Sequence, residues 1–135
     1  MDVFVYGTLT DPDRRAAVLG EEGEAFAVLG PARLRGLHRV GGRYPTLAPG
    51  GAVDGRLLRT DRVGALDRYE RVEDGLYVRV SIPRSDPRGG RAAVYVGDPG
   101  RLDPAEPVEW PGEGSFEARV ERYVREAGAT VEGPD

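Results

Sequence analysis

Between residues 76 and 96 the chain alternates with a period of two, twice over. Leu76, Val78, Val80 and Ile82 alternate with Tyr77, Arg79 and Ser81, and later Ala92, Val94 and Val96 alternate with Ala93 and Tyr95. Successive side chains of a strand point to opposite faces, so this pattern demands strands. The chain ahead of it is built similarly. Val3, Phe4, Val5 and Tyr6 form a β-branched and aromatic run, and residues 25–29, 34–40 and 53–58 are apolar stretches cut apart by Gly and Pro. Helical spacing appears only in short pieces. Asp11 before Pro12 is an N-cap with proline at the first helical position, and the helix they open stops at Gly20. Asp61 opens a second helix through Glu70. Ser115 caps a third, carrying Phe116, Val120, Tyr123 and Val124 at helical spacing. Residues 98–114, rich in Pro, Gly and acids, read as a loop, and the last few residues as frayed. The sum predicts a single α+β domain over residues 1–135. It is a small mixed, mostly antiparallel sheet or β-barrel with flanking short helices, not a doubly wound parallel fold.

Composition then removes whole classes of chemistry. With no cysteine among 135 residues, thiol nucleophiles, disulfides and Cys-based metal sites are excluded. The one histidine, His38, rules out a multi-histidine zinc site, and any Ser-His-Asp triad would have to use it. The basic residues are all Arg, so Schiff-base catalysis has no lysine to work with. Neither a metal nor a cofactor is expected. Net charge is −4, and the arginines are interleaved with acids, which argues against nucleic acid as a partner. No segment approaches the length of a membrane span. The N-terminus lacks a basic region and a cleavage site, so a cytoplasmic location and no membrane partner are expected.

Three places carry candidate chemistry. On the second helix Glu70 falls between Val63 and Leu66, which puts a carboxylate on an apolar face. Desolvation raises a carboxyl pKa, which suits a general acid–base working near neutrality. The alternative is a structural carboxylate paired with an arginine such as Arg79. Asp67 lies near the same face but approaches a substrate from the same side as Glu70. A glycosidase-like pair needs opposed carboxylates, so Asp67 reads better as bonded to backbone or to an arginine. The turn Tyr6-Gly7-Thr8-Leu9, just before a helix, offers successive backbone N–H groups as an anion or carbonyl-oxygen site. Tyr77 and Arg79 share the strand face opposite the apolar set and point either to solvent or to the Glu70 helix. His38 reads as structural, and Trp110 as either a flap over a pocket or a packing anchor.

Taken in order, Val3-Phe4-Val5-Tyr6-Gly7-Thr8-Leu9, Tyr44-Pro45, Val53-Asp54-Gly55, Leu66-Asp67-Arg68-Tyr69-Glu70 and Tyr77-Val78-Arg79 resemble the γ-glutamylcyclotransferase-like family, within it the γ-glutamylamine cyclotransferase branch. The resemblance covers residues 1–97. It implies a compact mixed barrel with flanking helices. It also implies that Tyr6, Gly7, Thr8, Leu9 and Tyr77 bind the γ-glutamyl substrate and that Glu70 is the catalytic acid–base. One departure stands out: where the family often has Tyr three residues after the glycine matching Gly55, this chain has Leu58. The implied reaction closes the substrate's own α-amine onto its γ-carbonyl, releasing 5-oxoproline and a free amine, so it needs no protein nucleophile and no metal. Three functions remain open at this point: that cyclotransferase acting on a small γ-glutamyl amine or amino acid, as a monomer or weak homodimer; a non-catalytic binding module of the same fold; or a hydrolase or transferase using Glu70 on another amide.

Overall fold

The computed structural model describes residues 1–86 and 89–134. It is a mixed α+β fold built on one six-stranded sheet. The strands are β1 (Asp2–Val5), β2 (Phe26–Val40), β3 (Thr46–Thr60), β4 (Tyr77–Pro83), β5 (Arg91–Gly97) and β6 (Thr130–Glu132). The helices are α1 (Pro12–Leu19), α2 (Val63–Tyr69), α3 (Pro99–Leu102) and α4 (Phe116–Glu126). Sheet order is β4-β5-β1-β3-β2-β6. Among these strands β1 and β5 pair in parallel and the other ladders are antiparallel. The sheet curls until its edge strands meet: Ser85, just past β4, donates its N–H to the Val131 carbonyl of β6 at 2.9 Å. The edge that an open sheet would leave unpaired is thereby partly closed.

The two halves of the period-two pattern explain the two cores. Phe4 joins Leu34, Leu37, Leu57, Ile82 and Val94 inside the curl, under Val120 and Val124 of α4. Its neighbours Val3 and Val5 point the other way, into a second core with Leu58 and Leu66 beneath α1 and α2. Strand β5 contributes to both cores, which is why nearly all of it is apolar. Trp110 is a packing anchor, edge-on to Phe116 and Tyr123 at 6.1 and 5.5 Å. Gly55 is required where β3 crosses the end of β1, since a Cβ there would stand 2.1 Å from the Val5 carbonyl oxygen.

Several boundaries differ from those read in the sequence. The stretches at 25–29 and 34–40 are one strand, β2, broken by register shifts between Val28 and Gly30 and between Arg35 and Leu37. At the second shift Gly36 has φ 102°, and Tyr123 of α4 donates its hydroxyl to the Gly36 carbonyl at 2.8 Å. Bulges let a long strand bend without ending it, and short apolar stretches flanking a glycine hide that continuity. The helix assigned to Asp61–Glu70 starts later, at Val63, and Glu70 is its C-cap, its N–H donated to the Leu66 carbonyl at 2.9 Å. The loop at 98–114 contains α3, capped by Asp98. The C-terminal residues expected to fray instead form β6 on β2, with Val131 fully buried; Asp135 lies outside the described residues. The Asp11 and Ser115 caps are formed, to Asp13 N at 3.1 Å and Ala118 N at 3.2 Å. Among the described residues no helix is long and apolar enough to cross a membrane.

Candidate active site

The parallel pairing of β1 with β5 sets both strand ends on one side of the sheet. There the chain leaves β1 through Tyr6 and Gly7 into a 3₁₀ turn, Thr8–Thr10, that leads into α1. Tyr6 reaches across to β5, its hydroxyl donating to the Tyr95 carbonyl at 2.6 Å. Helix α2 packs on the outer face through Leu66, and its end delivers Glu70 to the same corner. The result is a small, partly open pocket at that corner. One wall is the turn, with Tyr6, Gly7, Thr8 and Leu9; the rest is Phe4, Val5, Pro45, Glu70, Tyr77 and Tyr95. Glu70, Tyr6, Gly7, Thr8, Leu9 and Tyr77, to which the family resemblance gives catalysis and substrate binding, thus border a single cavity, whereas Asp67 and Arg79 do not line it. Pro45 and Tyr95 were not foreseen as wall residues. Pro45 enters because the Tyr77 hydroxyl donates to its carbonyl at 2.6 Å, tying the β2–β3 hairpin to β4.

Glu70 is partly buried and has neither an ion pair nor a side-chain hydrogen bond among the described residues. Burial alone pushes its carboxyl pKa from 4.5 up to about 7. The neighbouring phenols respond. Tyr6 and Tyr77 are both raised, first by burial and then by the negative charge of Glu70. The pairing of Glu70 with Arg79 is not what forms. Arg79 Nη1 binds both oxygens of Asp67, at 2.9 and 3.1 Å, and the Tyr95 hydroxyl donates to Asp67 Oδ1 at 2.6 Å. Arg79 therefore faces the helix that ends at Glu70 but serves the other carboxylate. Tyr95 is raised by its burial and by that bond to Asp67.

The turn is a cradle of donors. The carbonyls of Gly7 and Thr8 accept from Thr10 N and Asp11 N, each at 3.1 Å, and Thr10 Oγ1 also donates to Gly7 O at 2.7 Å. The N–H groups of Gly7, Thr8 and Leu9 have no acceptor among the described residues, yet all three residues line the pocket. Gly7 has φ −113°, so the turn makes no use of glycine's left-handed freedom; an added Cβ would meet the Pro45 ring at 3.6 Å and narrow the space between them. The Thr8 hydroxyl shares a 2.6 Å hydrogen bond with that of Tyr69, the residue before Glu70, and Arg14 Nη1 donates to the same Tyr69 oxygen at 3.4 Å. This cross-tie joins the donor wall to the carboxylate wall. Sequence reading missed it because 61 residues separate Thr8 from Tyr69.

Other candidates fall away from the pocket. His38 lies on β2, its Nδ1 3.1 Å from the Gly50 carbonyl. Leu58, where the family often has Tyr, is fully buried in the core beneath α1 and α2 and does not line the cavity. Among the described residues no group of three His, Cys, Asp or Glu is arranged to hold a metal ion.

Comparison with known proteins bears on the family and the fold. A sequence model described as gamma-glutamyl cyclotransferase, AIG2-like, matches residues 3–118. Among solved structures, a gamma-glutamyl cyclotransferase superposes with TM-score 0.60 at 16% identity, over 93% of this chain and 98% of that one. An AIG2-like protein of Mus musculus superposes with TM-score 0.55 at 21% identity, over 87% and 91%. A protein of Arabidopsis thaliana shares 29% identity at TM-score 0.54, over 93% and 83%. No curated protein matches the chain.

Proposed function

Because the chain belongs to the gamma-glutamyl cyclotransferase, AIG2-like family, we propose that it is itself a cyclotransferase, releasing 5-oxoproline and a free amine from a small γ-glutamyl amine or γ-glutamyl amino acid. The observation that carries this reading is Glu70: a carboxyl with no partner among the described residues, its pKa raised by burial to about 7, in a pocket also lined by the turn whose Gly7, Thr8 and Leu9 N–H groups have no acceptor among those residues.

The chemistry follows from what such a pocket supplies. The Glu70 carboxylate takes a proton from the substrate's α-ammonium. The freed amine attacks the γ-carbonyl carbon, forming the C–N bond of a five-membered ring and an oxyanion. Protonated Glu70 then gives its proton to the departing nitrogen as the oxyanion collapses and the original amide bond breaks, and the ring nitrogen passes its remaining extra proton by way of the Glu70 carboxylate to the freed amine, which leaves as an ammonium ion. A group with pKa near the working pH serves both transfers with small driving-force penalties. The turn of Gly7, Thr8 and Leu9 holds the α-carboxylate or the oxyanion with donors that require no reorganisation. Tyr6 and Tyr77, kept neutral by their raised pKa values, shape the space that folds the γ-glutamyl chain toward ring closure.

The test is a product assay with wild type and Glu70→Gln on a panel of γ-glutamyl amines and amino acids. 5-Oxoproline from the wild type, with no free glutamate, is the expected result. Free glutamate instead marks a hydrolase. If no product forms while a γ-glutamyl ligand binds both proteins equally, the pocket is a binding module and Glu70 is not catalytic.

A further inference from the structure

Among the described residues Arg15 is the one charged residue that is buried, with 5% of its surface exposed. It sits on α1, directly behind the turn, and among the described residues it has no acidic partner. Its Nε is buried without a hydrogen-bond partner. An unpaired buried charge is costly and persists only where dipoles or a ligand compensate it. Here Nη1 donates to two carbonyls of the turn, Leu9 at 3.1 Å and Thr10 at 2.9 Å.

Each of those carbonyls begins a short backbone relay. The Leu9 carbonyl shares its peptide unit with the Thr10 N–H, which donates to the Gly7 carbonyl at 3.1 Å; that carbonyl shares its peptide unit with the Thr8 N–H. The Thr10 carbonyl shares its unit with the Asp11 N–H, which donates to the Thr8 carbonyl at 3.1 Å; that unit carries the Leu9 N–H. Both relays end on N–H groups that have no acceptor and belong to pocket-lining residues. A cation at the carbonyl end of a hydrogen-bonded chain polarises every unit along it, so the terminal N–H groups become stronger donors.

We infer that Arg15 is a positioning residue for the substrate, its buried charge carried through these two relays to the Thr8 and Leu9 N–H groups so that they select a carboxylate. The inference rests on the reading of the pocket as a γ-glutamyl site, and assigns the glutamyl α-carboxylate to Thr8 and Leu9. The Gly7 N–H, whose peptide unit lies outside both relays, is not part of it.

The experiment measures binding by calorimetry in the Glu70→Gln background, which prevents turnover. The probes are L-γ-glutamylethylamide and the same molecule with its α-carboxylate converted to carboxamide. With Arg15 intact, the carboxylate binds at least about 20-fold more tightly than the carboxamide, as a charge-assisted pair of hydrogen bonds requires. Arg15→Met reduces that ratio to below about threefold, whereas Arg15→Lys, which keeps the charge, retains most of it. A melting curve accompanies each variant. A full ratio in a folded Arg15→Met protein overturns the inference, as does a Lys variant that loses the ratio as completely as Met. If Arg15→Met does not fold, amide proton shifts decide. Adding L-γ-glutamylethylamide moves the Thr8 and Leu9 amides downfield, and Arg15→Lys weakens that shift. An equal or larger response at Gly7 overturns the relay. Failure of the wild type to make 5-oxoproline or to bind either probe sinks the cyclotransferase reading itself, a different result from binding without an Arg15-dependent ratio.

Discussion

Glu70 and Asp67 lie three residues apart at the end of one helix, and the fold treats them oppositely. Asp67 is held by the Arg79 guanidinium and the Tyr95 hydroxyl, in a part-exposed cluster between α2, β4 and β5. Glu70 lines the pocket with the turn and the phenols of Tyr6 and Tyr77, and has neither an ion pair nor a side-chain hydrogen bond among the described residues. The two carboxylates have the same chemistry; their neighbours differ. A carboxylate surrounded by donors is a structural clamp, and one desolvated without donors carries a mobile proton. Under the proposed function, the carboxylate assigned the proton transfers is set apart from its neighbour by the partners it lacks among the described residues.

Four measurements would sharpen or break that contrast. The largest effect belongs to Glu70→Gln, which keeps the shape and removes the proton carrier. Its kcat/KM for 5-oxoproline formation should fall at least about 100-fold, and a variant retaining more than a tenth of wild-type activity would end the assignment. The second is pH. The carboxylate form is the base, so kcat/KM should drop about tenfold per unit as pH falls below about 7. Stability should move the other way. The folded pKa lies above the unfolded one, so the folded state holds a proton that the unfolded chain has already released between pH 4.5 and about 7. Stability is therefore full below that window and declines as pH rises through it, by roughly 3 kcal/mol at most. Denaturant titrations at several pH values should show this slope in wild type and lose it in Glu70→Gln.

Third, Asp67→Asn should cost stability and spare chemistry. Weakening the bonds to Arg79 and Tyr95 should lower stability by about 1–3 kcal/mol, with kcat changed only a few-fold. The reverse pattern, a catalytic collapse at unchanged melting temperature, would mean that Asp67 shares the proton work and that the contrast is wrong. The smallest effect is Tyr69→Phe, which deletes the cross-tie to Thr8 while leaving Glu70 in place. The lost hydrogen bond is worth about 1 kcal/mol, read as a several-fold rise in KM with the pH profile unmoved. A displaced pH profile would show that Tyr69 also tunes Glu70.

Much of this was legible beforehand because it is local. The strand assignments at residues 76–96 came from alternation, the start of α1 from Asp11 and Pro12, and the inward side of Glu70 from its spacing to Leu66. The family resemblance implies that the turn and its partner helix form one site. What stayed hidden depends on partners distant in the chain. Arg79 was a candidate for Glu70, yet lies against Asp67, because strand pairing and helix docking set the register between β4 and α2. The split apolar stretches of β2 hid one bulged strand, since a bulge is defined by the opposite strand. The C-terminal residues looked free until β2 gave them an edge to pair with.

Spacing and residue type along the chain fix the periodicities, the helix caps, the exclusion of thiol and lysine chemistry, and the apolar helix face that carries Glu70. Tertiary structure alone decided which carboxylate is neutralised, which N–H groups remain without acceptors, and where the buried charge of Arg15 acts. The reason is physical: spacing along the chain sets which way a side chain points, but desolvation and hydrogen bonding depend on what the fold brings to meet it.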